Sequence, residues 1–307
     1  MSWISTLGDM LSSPLMQRAL IAAVLVGAAA PVVGTFLVQR RLALMGDGIG
    51  HVALTGVAMG WLVGTWASLS PADTLAIPGA VVAAVIGSVI IEWVRARGRT
   101  SGDLALALLF YGGIAGGVLL IKVAGGTNAN LMSYLFGSIA TVTGQDLWWT
   151  VGLAVGVLLI GLGLRHVLFA VSHDEEFARG SGLPVTFLNM VVAVMSALTV
   201  TVAMRVVGLL LVSALMIVPV AVAQLFAGSF SRTMGMASGI GVAVSVVGLS
   251  ITYWEDYPPG ATIVLLAIAL YAGTAVLRPL FGRRGTASLA RDPHPELPDD
   301  VDLARTH

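Results

Sequence analysis

Long apolar stretches recur along nearly the whole chain, and they constrain its fold more than any other feature. A run of about 17–25 apolar residues can cross a bilayer as a helix, and only helices or closed barrels satisfy their backbone hydrogen bonds there. These runs lack the alternation of polar and apolar residues that marks barrel strands. Nine stretches have a suitable length and composition: about 16–38, 43–67, 77–94, 104–123, 147–165, 185–204, 206–227, 234–253 and 261–278. The sequence therefore predicts an all-α polytopic membrane protein with eight or nine transmembrane helices.

Composition agrees with a membrane protein and excludes several kinds of site. Of the 307 residues, 57% are hydrophobic and 10% are charged, and the mean hydropathy is +0.93. Soluble domains carry about 25% charged residues. The 16 basic residues balance the 16 acidic ones, so net charge indicates no nucleic-acid partner. The absence of cysteine excludes disulfides, thiolate metal sites and a cysteine nucleophile.

Three parts of the chain do not fit the regular pattern of spans. Two predicted helices meet at Arg205 with almost no loop between them. The segment "LMSYLFGSIATV" (131–142) is too short to cross a membrane, so a re-entrant or internally packed segment is favoured there. Residues 1–14 or so predict an interfacial helix anchored by Trp3. We expect residues 1–284 to form one transmembrane domain, and the Pro- and acid-rich residues 285–307 to form a disordered cytoplasmic tail.

The arginines predict the orientation of the helices. Short loops rich in Lys and Arg stay on the cytoplasmic side of a membrane. One face of the nine-helix arrangement holds only Arg18, Lys122 and Arg205. The opposite face holds a larger set: Arg40, Arg41, Arg95, Arg97, Arg99, Arg165, Arg179, Arg232, Arg278, Arg283 and Arg284. We therefore expect a multi-pass protein of the plasma membrane with an outer amino terminus and a cytoplasmic carboxyl terminus.

Asp47 and His51 are the acid and the histidine that the predicted helices place well inside the hydrocarbon. A charged aspartate at a helix centre costs about 2.5–3.5 kcal/mol, and such residues usually mark a substrate or ion path. At a spacing of four the two side chains share one helical face. A carboxylate with an imidazole suits a divalent metal such as zinc or manganese. The helix surface around the pair carries no side chains at Gly46, Gly48 and Gly50, so another helix or an ion can approach closely.

The spacing of this pair leaves three interpretations open. The pair could contact a transported metal, it could relay protons, or it could form an Asp–His hydrogen bond that only holds two helices together. A proton relay would make the chain a proton-coupled secondary cation transporter, although we find no internal repeat of the kind that such transporters carry. A membrane-embedded metalloprotease is disfavoured because the sequence has no H-E-x-x-H motif.

Four separated stretches, taken in order, resemble one known family. They are "RRLALMGDGIGHVALTGVAMG" (Arg40–Gly60), "NLMSYLFGSIATVTGQDL" (Asn130–Leu147), "VSHDEEFARGSGLPV" (Val171–Val185) and "MRVVGLLLVSALMIVPVAVAQLFA" (Met204–Ala227). The chain resembles membrane permeases from the zinc/manganese uptake family of ABC transporters over about residues 10–280. The resemblance implies the ABC importer permease fold and ATP-driven import of a divalent transition metal.

The resemblance also implies partners and site residues. It implies a dimer of permease chains, here expected to be a homodimer, with two cytoplasmic ATP-binding subunits and an extracytoplasmic solute-binding protein. Asp47 and His51 match the residues that are proposed to contact the metal in this family, as transient ligands. The segment "HVALTGVA" departs from the patterns of both the zinc members and the manganese and iron members, but it lacks the proline of the latter, which favours zinc as the cargo over manganese or iron. No permanently bound cofactor is expected.

The loop at about 166–184 is the expected docking site for the ATPase. The chain lacks the G-x-x-x-x-G-K-[ST] loop, so we expect ATP hydrolysis on a separate chain and a transport subunit here rather than an enzyme. "SHDEEFARGSGLP" carries a helix start at Ser172 and a Gly-Leu-Pro stop. The resemblance makes this segment the coupling helix, with a plain solvated loop as the alternative. Its expected coupling residues are Asp174, Glu175, Phe177, Ala178 and Gly180.

Overall fold

The computed structural model describes residues 3–97, 102–138, 143–204, 207–255 and 257–281, and the regular elements within these ranges are all helical. One turn of 3-10 helix, Ala72–Leu75, precedes the fourth α-helix. The α-helices are α1 (Trp3–Ser12), α2 (Pro14–Gln39), α3 (Met45–Trp66), α4 (Ala76–Arg97), α5 (Gly102–Val123), α6 (Asn128–Phe136), α7 (Gly144–Gly163), α8 (Arg165–His173), α9 (Glu175–Gly180), α10 (Val185–Ala203), α11 (Leu209–Gln224), α12 (Phe230–Trp254) and α13 (Pro259–Phe281). The predicted tail at 285–307 lies outside the described residues.

Eight helices among the described residues are long and apolar enough to cross a membrane: α2, α3, α4, α5, α7, α10, α12 and α13. They confirm the predicted all-α polytopic fold. The predicted amino-terminal helix is present as α1, and the short segment near 131–142 contains the nine-residue helix α6. Tyr134 of α6 is buried, and α6 packs against α11 and α13, so this segment lies against the bundle as the sequence predicted.

The predicted span at 206–227 is shorter than the others. Helix α11 has 16 residues, which corresponds to about 24 Å against a hydrocarbon thickness of about 30 Å. The chain breaks between α10 and α11 because Gly208 adopts a φ of +88°, which L side chains rarely adopt. A Cβ at Gly208 would also collide with the backbone of Leu135 and Gly137, where α6 ends. The start of α11 is therefore fixed against the end of α6.

Close approach of small residues holds the long helices together. A Cβ at Gly27 of α2 would lie 2.7 Å from the carbonyl oxygen of Gly241 in α12. Gly56 of α3 faces Gly79 of α4, and Gly113 of α5 packs on the backbone of α3 at His51. Such contacts matter in a membrane, because lipid tails are as apolar as the side chains and association depends on tight packing. Helix α3 is enclosed in this way by α4, α5, α10 and α11.

The loops that carry most of the arginines lie together at one end of the bundle, which we call the arginine end. Gln39, at the end of α2, hydrogen-bonds to His173, at the end of α8. The turn between α2 and α3 and the end of α4 line one cavity with Arg41 and Arg95. The turn between α11 and α12 lines another cavity with Arg165. The basic loops thus share one end, as the arginine pattern predicted.

Candidate metal-contacting site and coupling loop

Asp47 and His51 lie on α3 near the arginine end. Helix α3 begins at Met45, so Asp47 is in its first turn and His51 follows one turn further along. The Asp47 side chain is 27% exposed, whereas that of His51 is 1% exposed. A carboxylate in the first turn is stabilised by the free backbone N–H groups and the helix dipole. His51 is therefore buried within the bundle, while Asp47 lies partly exposed at the end of its helix, and the depth of both in the membrane stays a prediction.

The hydrogen bonding of His51 leaves one ring nitrogen free for a ligand. Nδ1 of His51 lies 2.8 Å from the backbone carbonyl oxygen of Asp47. A carbonyl oxygen can only accept, so the geometry assigns the proton to Nδ1 and the lone pair to Nε2. Nε2 is buried and has no hydrogen-bond partner among the described residues. A buried nitrogen with an unused lone pair is the form of histidine that binds a metal ion.

The two side chains do not hydrogen-bond to each other. Oδ1 of Asp47 lies 4.0 Å from Nδ1 of His51, which is beyond hydrogen-bonding distance. The interpretation of the pair as an Asp–His bond between helices therefore has no bond to support it. The carboxylate instead accepts a long hydrogen bond, 3.4 Å, from the hydroxyl of Ser213 in α11.

Helices α5 and α11 enclose the pair from two sides. The His51 ring packs on Phe110 of α5 with 4.2 Å between ring centroids, and the Thr55 hydroxyl donates a 2.8 Å hydrogen bond to the backbone oxygen of Gly113. Positions 46 and 50 of α3 face α11: a Cβ at Gly46 would lie 3.3 Å from the Met216 sulfur, and one at Gly50 would lie 3.3 Å from Leu209. The glycines that the sequence singled out are thus positions of close helix approach.

The site offers few ligands to a cation. No group of three or more His, Asp or Glu side chains that could hold a metal lies within the described part of the chain. One chain therefore presents the Asp47 carboxylate and Nε2 of His51. Carboxylate and imidazole together accept manganese or zinc. A structural zinc site has four protein ligands, so two ligands favour transient contact over storage.

The predicted coupling segment forms two helices rather than one. Ser172 is part of α8 and its hydroxyl is buried, so it does not start the coupling helix. The break falls at Asp174, whose side chain caps α9 by accepting a 2.9 Å hydrogen bond from the N–H of Phe177. Asp174 is a stronger cap here because its extended backbone directs the carboxylate at the free N–H groups. Gly182, with a φ of +82°, follows the helix and Pro184 precedes α10.

The predicted coupling residues differ in what they present to a partner. Glu175 pairs with Arg179 at 3.1 Å, which holds α9 together internally. The Phe177 side chain is 70% exposed although it is large and apolar. Ala178 is buried inside the chain, so it supports α9 and offers no surface. A Cβ at Gly180 would meet no atom within 4 Å. Of the predicted coupling residues, Asp174, Phe177 and Gly180 are therefore exposed, and Phe177 is the large apolar one.

A group of charged residues at the arginine end was not foreseen from the sequence. Glu92 of α4 is 3% exposed and pairs with Arg95 at 3.0 Å. Arg40 lies in the turn before α3, and its Nη2 is buried without a hydrogen-bond partner among the described residues. Burial lowers the pKa of the Arg40 guanidinium, the negative charges of Glu92 and Glu175 raise it, and the positive charge of Arg95 lowers it. The charges of carboxylates on both α4 and α9 therefore act on Arg40.

Comparison with known proteins agrees with the resemblance carried by the four motifs. The model of the ABC 3 transport family matches residues 12–278. The manganese transport system membrane protein MntC of Halalkalibacterium halodurans is 34% identical over 264 residues, which cover 86% of this chain and 87% of MntC. The manganese import system permease protein ScaB of Streptococcus parasanguinis is 34% identical over 83% of this chain and 88% of its own length.

A solved structure agrees with the fold over the same region. The structure of PsaBC from Streptococcus pneumoniae in complex with Fab contains a chain that superposes with a TM-score of 0.78 at 32% identity. The match covers 88% of this chain and 95% of that one. The arrangement of helices described above is therefore shared with a chain of the PsaBC structure. Together with the family match across residues 12–278, it shows that the chain belongs to the ABC 3 transport family.

Proposed function

We propose that this chain is the permease subunit of an ATP-driven importer of a divalent transition metal, and that its cargo is manganese. The relatives at 34% identity that are described above bear manganese in their names. The preference for zinc, which rested on the segment after His51, finds no support among them. The chain is a transport subunit and not an enzyme, and ATP is hydrolysed on a separate subunit.

The observation that carries the proposal is the free Nε2 of His51, one helical turn along α3 from the Asp47 carboxylate. A buried nitrogen without a partner costs free energy unless something binds to it. A cation that passes through would bind to Nε2 and to a carboxylate oxygen of Asp47. Two protein ligands hold such an ion weakly enough to release it, which transport requires. A mixed oxygen and nitrogen set accepts manganese, which tolerates carboxylate ligands well.

The proposal includes partners on both sides of the membrane. Two ATP-binding subunits would dock on α9 at the arginine end, where Phe177 is 70% exposed. A solute-binding protein would deliver the metal at the opposite end. A second copy of the chain would complete a homodimer, in which each chain presents its own Asp47–His51 pair. The exposed face of α5 leaves room for such contacts, since only 17% of its apolar stretch is buried within the chain, against 72% for α2.

Uptake of isotopic manganese and zinc into vesicles that contain the purified complex tests this function. We expect uptake of manganese that requires both ATP and the binding protein. Uptake that runs without ATP and follows an imposed proton gradient would instead identify a secondary cation transporter. Equal or faster uptake of zinc would refute manganese as the cargo while leaving the ATP-driven permease intact.

The orientation is part of the proposal. The arginine end should face the cytoplasm, because short basic loops stay on that side. A reporter enzyme fused after Arg284 should therefore be active in the cytoplasm and silent outside it. An active extracytoplasmic reporter at that position would place α9 on the wrong side for an ATPase.

A further inference from the structure

One polar side chain from outside α3 touches the Asp47–His51 pair. The Ser213 hydroxyl of α11 lies 3.4 Å from Oδ1 of Asp47. Its surroundings on α11 are apolar, with Val212, Leu215 and Met216 all buried. The position is fixed by the start of α11 at Gly208, because the break there sets which face of the short helix meets α3.

Ser213 donates to a side chain of another helix, whereas Thr55 and Ser238, which also donate to other helices, do so to backbone oxygens. Serine and threonine inside membrane helices commonly donate to the carbonyl four residues earlier in their own helix. Ser196 does so to Val192 at 2.8 Å, and Thr199 does so to Met195 at 2.8 Å. The hydrogen bond that the structure gives Ser213 goes instead to a carboxylate 166 residues away in the sequence. Its hydroxyl is thus directed at the candidate site rather than at its own backbone.

A hydroxyl in this position can act both as a donor to the Asp47 carboxylate and as an oxygen ligand. It has one O–H to donate and two lone pairs to offer. In the structure the O–H is directed at the Asp47 carboxylate over 3.4 Å. A cation between Asp47 and His51 would lie close to the Ser213 oxygen, which could contribute a lone pair while the O–H still points to the carboxylate. Oxygen ligands suit manganese, whereas nitrogen and sulfur ligands move preference toward zinc.

We propose that Ser213 is a specificity-determining residue of the cation path, which orients the Asp47 carboxylate and adds an oxygen that favours manganese over zinc. This inference rests on the proposed function, because it assumes that the cation passes between Asp47 and His51. It adds a residue from α11 to a site that one helix otherwise supplies. It also gives the packing of α11 on the glycine face of α3 a role in selection.

Three substitutions at one position test the proposal in the full complex with its ATPase and binding protein. Ser213→Ala removes the oxygen, Ser213→Thr keeps the hydroxyl, and Ser213→Cys replaces oxygen with sulfur in a similar volume. Ser196→Ala is the matched control, because it removes a buried serine that bonds only to its own helix. Uptake of isotopic manganese and zinc is measured over a range of metal concentrations for each variant.

We expect Ser213→Ala to raise the KM for manganese about tenfold, the lower limit for losing a residue that orients a metal ligand. Ser213→Thr should stay near the parent, and Ser213→Cys should lower the ratio of manganese to zinc uptake. The yield of assembled complex should be parental for all variants. The KM and the metal ratio of Ser196→Ala should also be parental. A merely structural role would change yield and leave both the KM and the metal ratio unchanged.

The outcomes separate the failure of this proposal from failure of the proposed function. A parent complex that takes up no metal refutes the function, and one that carries zinc but not manganese refutes the selective role of Ser213 as well. A parent with manganese uptake, together with a Ser213→Ala variant of parental KM and metal ratio, overturns only the role of Ser213. If Ser213→Ala does not assemble, Ser213→Cys decides, and an unchanged metal ratio overturns the proposal.

Discussion

The Asp47–His51 pair and α9, the proposed coupling helix, differ in how their polar groups are paired. At the pair, Nε2 of His51 is buried without a hydrogen-bond partner among the described residues, and the two side chains do not bond to each other. At α9 two of the acids are paired locally, since Asp174 caps the helix and Glu175 pairs with Arg179. The side chain of Phe177 on α9 is apolar but 70% exposed.

This difference indicates which kind of partner would bind to each of the two regions. A buried nitrogen with a free lone pair is stabilised by a cation, and an exposed aromatic ring on a well-capped helix is stabilised by a protein surface. Arg40 lies in the turn before α3, and the charges of Glu92 on α4 and Glu175 on α9 act on it. The comparison therefore separates a candidate site for an ion, a candidate site for a protein and a group of charged residues at the arginine end. Substitutions should affect the three parts differently.

The largest effect should come from Asp47→Asn. The substitution keeps the shape of the side chain and removes its charge, so it should lower metal uptake by at least about 100-fold, the upper value for losing a metal-orienting contact. Assembly should not suffer, because an amide is cheaper to insert than a carboxylate. Uptake and complex yield are measured on the same preparation, with Asp9→Asn, an exposed acid of α1, as the control. Parental uptake by well-assembled Asp47→Asn would show that the carboxylate contacts no cargo.

The same comparison shows what the sequence could and could not predict. The long apolar runs predicted the eight crossing helices, and the spacing of four predicted that Asp47 and His51 share a face. Ser213 could not be predicted, because a serine in an apolar helix usually bonds to its own backbone. The shortening of α11 depends on the contact of Gly208 with the end of α6, which is distant in sequence. The burial of Nη2 of Arg40 could not be predicted either, because in the sequence Arg40 is one of several basic loop residues and the burial depends on tertiary packing.

Glu92→Gln should have the next largest effect, which is a lower free energy of unfolding and not a change in metal binding. Glu92 is 3% exposed and compensates the positive charges of Arg40 and Arg95. Removing one partner of a buried ion pair costs about 3–5 kcal/mol, because the remaining charge is left without compensation. We expect a loss near the lower end, about 3 kcal/mol, since Arg95 is 28% exposed. Unfolding of the purified chain in detergent measures it.

Two further variants make the test of this group of charged residues specific. Glu176→Gln, at an exposed position of α9, should leave the stability unchanged. Adding Arg40→Gln to Glu92→Gln should recover part of the loss, because it removes a charge that Glu92 no longer balances. If the double variant is less stable than Glu92→Gln alone by the full cost of Arg40→Gln, Arg40 and Glu92 do not interact.

Phe177→Ala should weaken binding of the ATP-binding subunit. Truncation of a central aromatic residue in an interface costs about 2 kcal/mol, or roughly 30-fold in affinity. Metal contact at Asp47 should be unaffected, so the KM for the metal should stay parental while the stimulated rate falls. Phe187→Ala is the matched control, because Phe187 is also exposed, at 63%, but lies on α10. Equal weakening by both variants would mean that the contact is not specific to α9.

Gly180→Trp should have the smallest effect on the stability of the chain, so it gives the sharpest test of whether α9 contacts the ATP-binding subunit. Gly180 ends α9, is exposed, and has no atom within 4 Å of the position where a Cβ would lie. The isolated chain should therefore unfold at the parental temperature, since surface substitutions usually change stability by about 0.5 kcal/mol or less. If an ATPase subunit packs on this helix, the indole has no room at that interface, and both subunit binding and ATP hydrolysis stimulated by the loaded binding protein should fall. Gly235→Trp on α12, a second exposed glycine with the same open surroundings, should leave both quantities unchanged. Parental stimulation of ATP hydrolysis in Gly180→Trp would leave α9 as an ordinary solvated element and would move the coupling contact elsewhere on the arginine end.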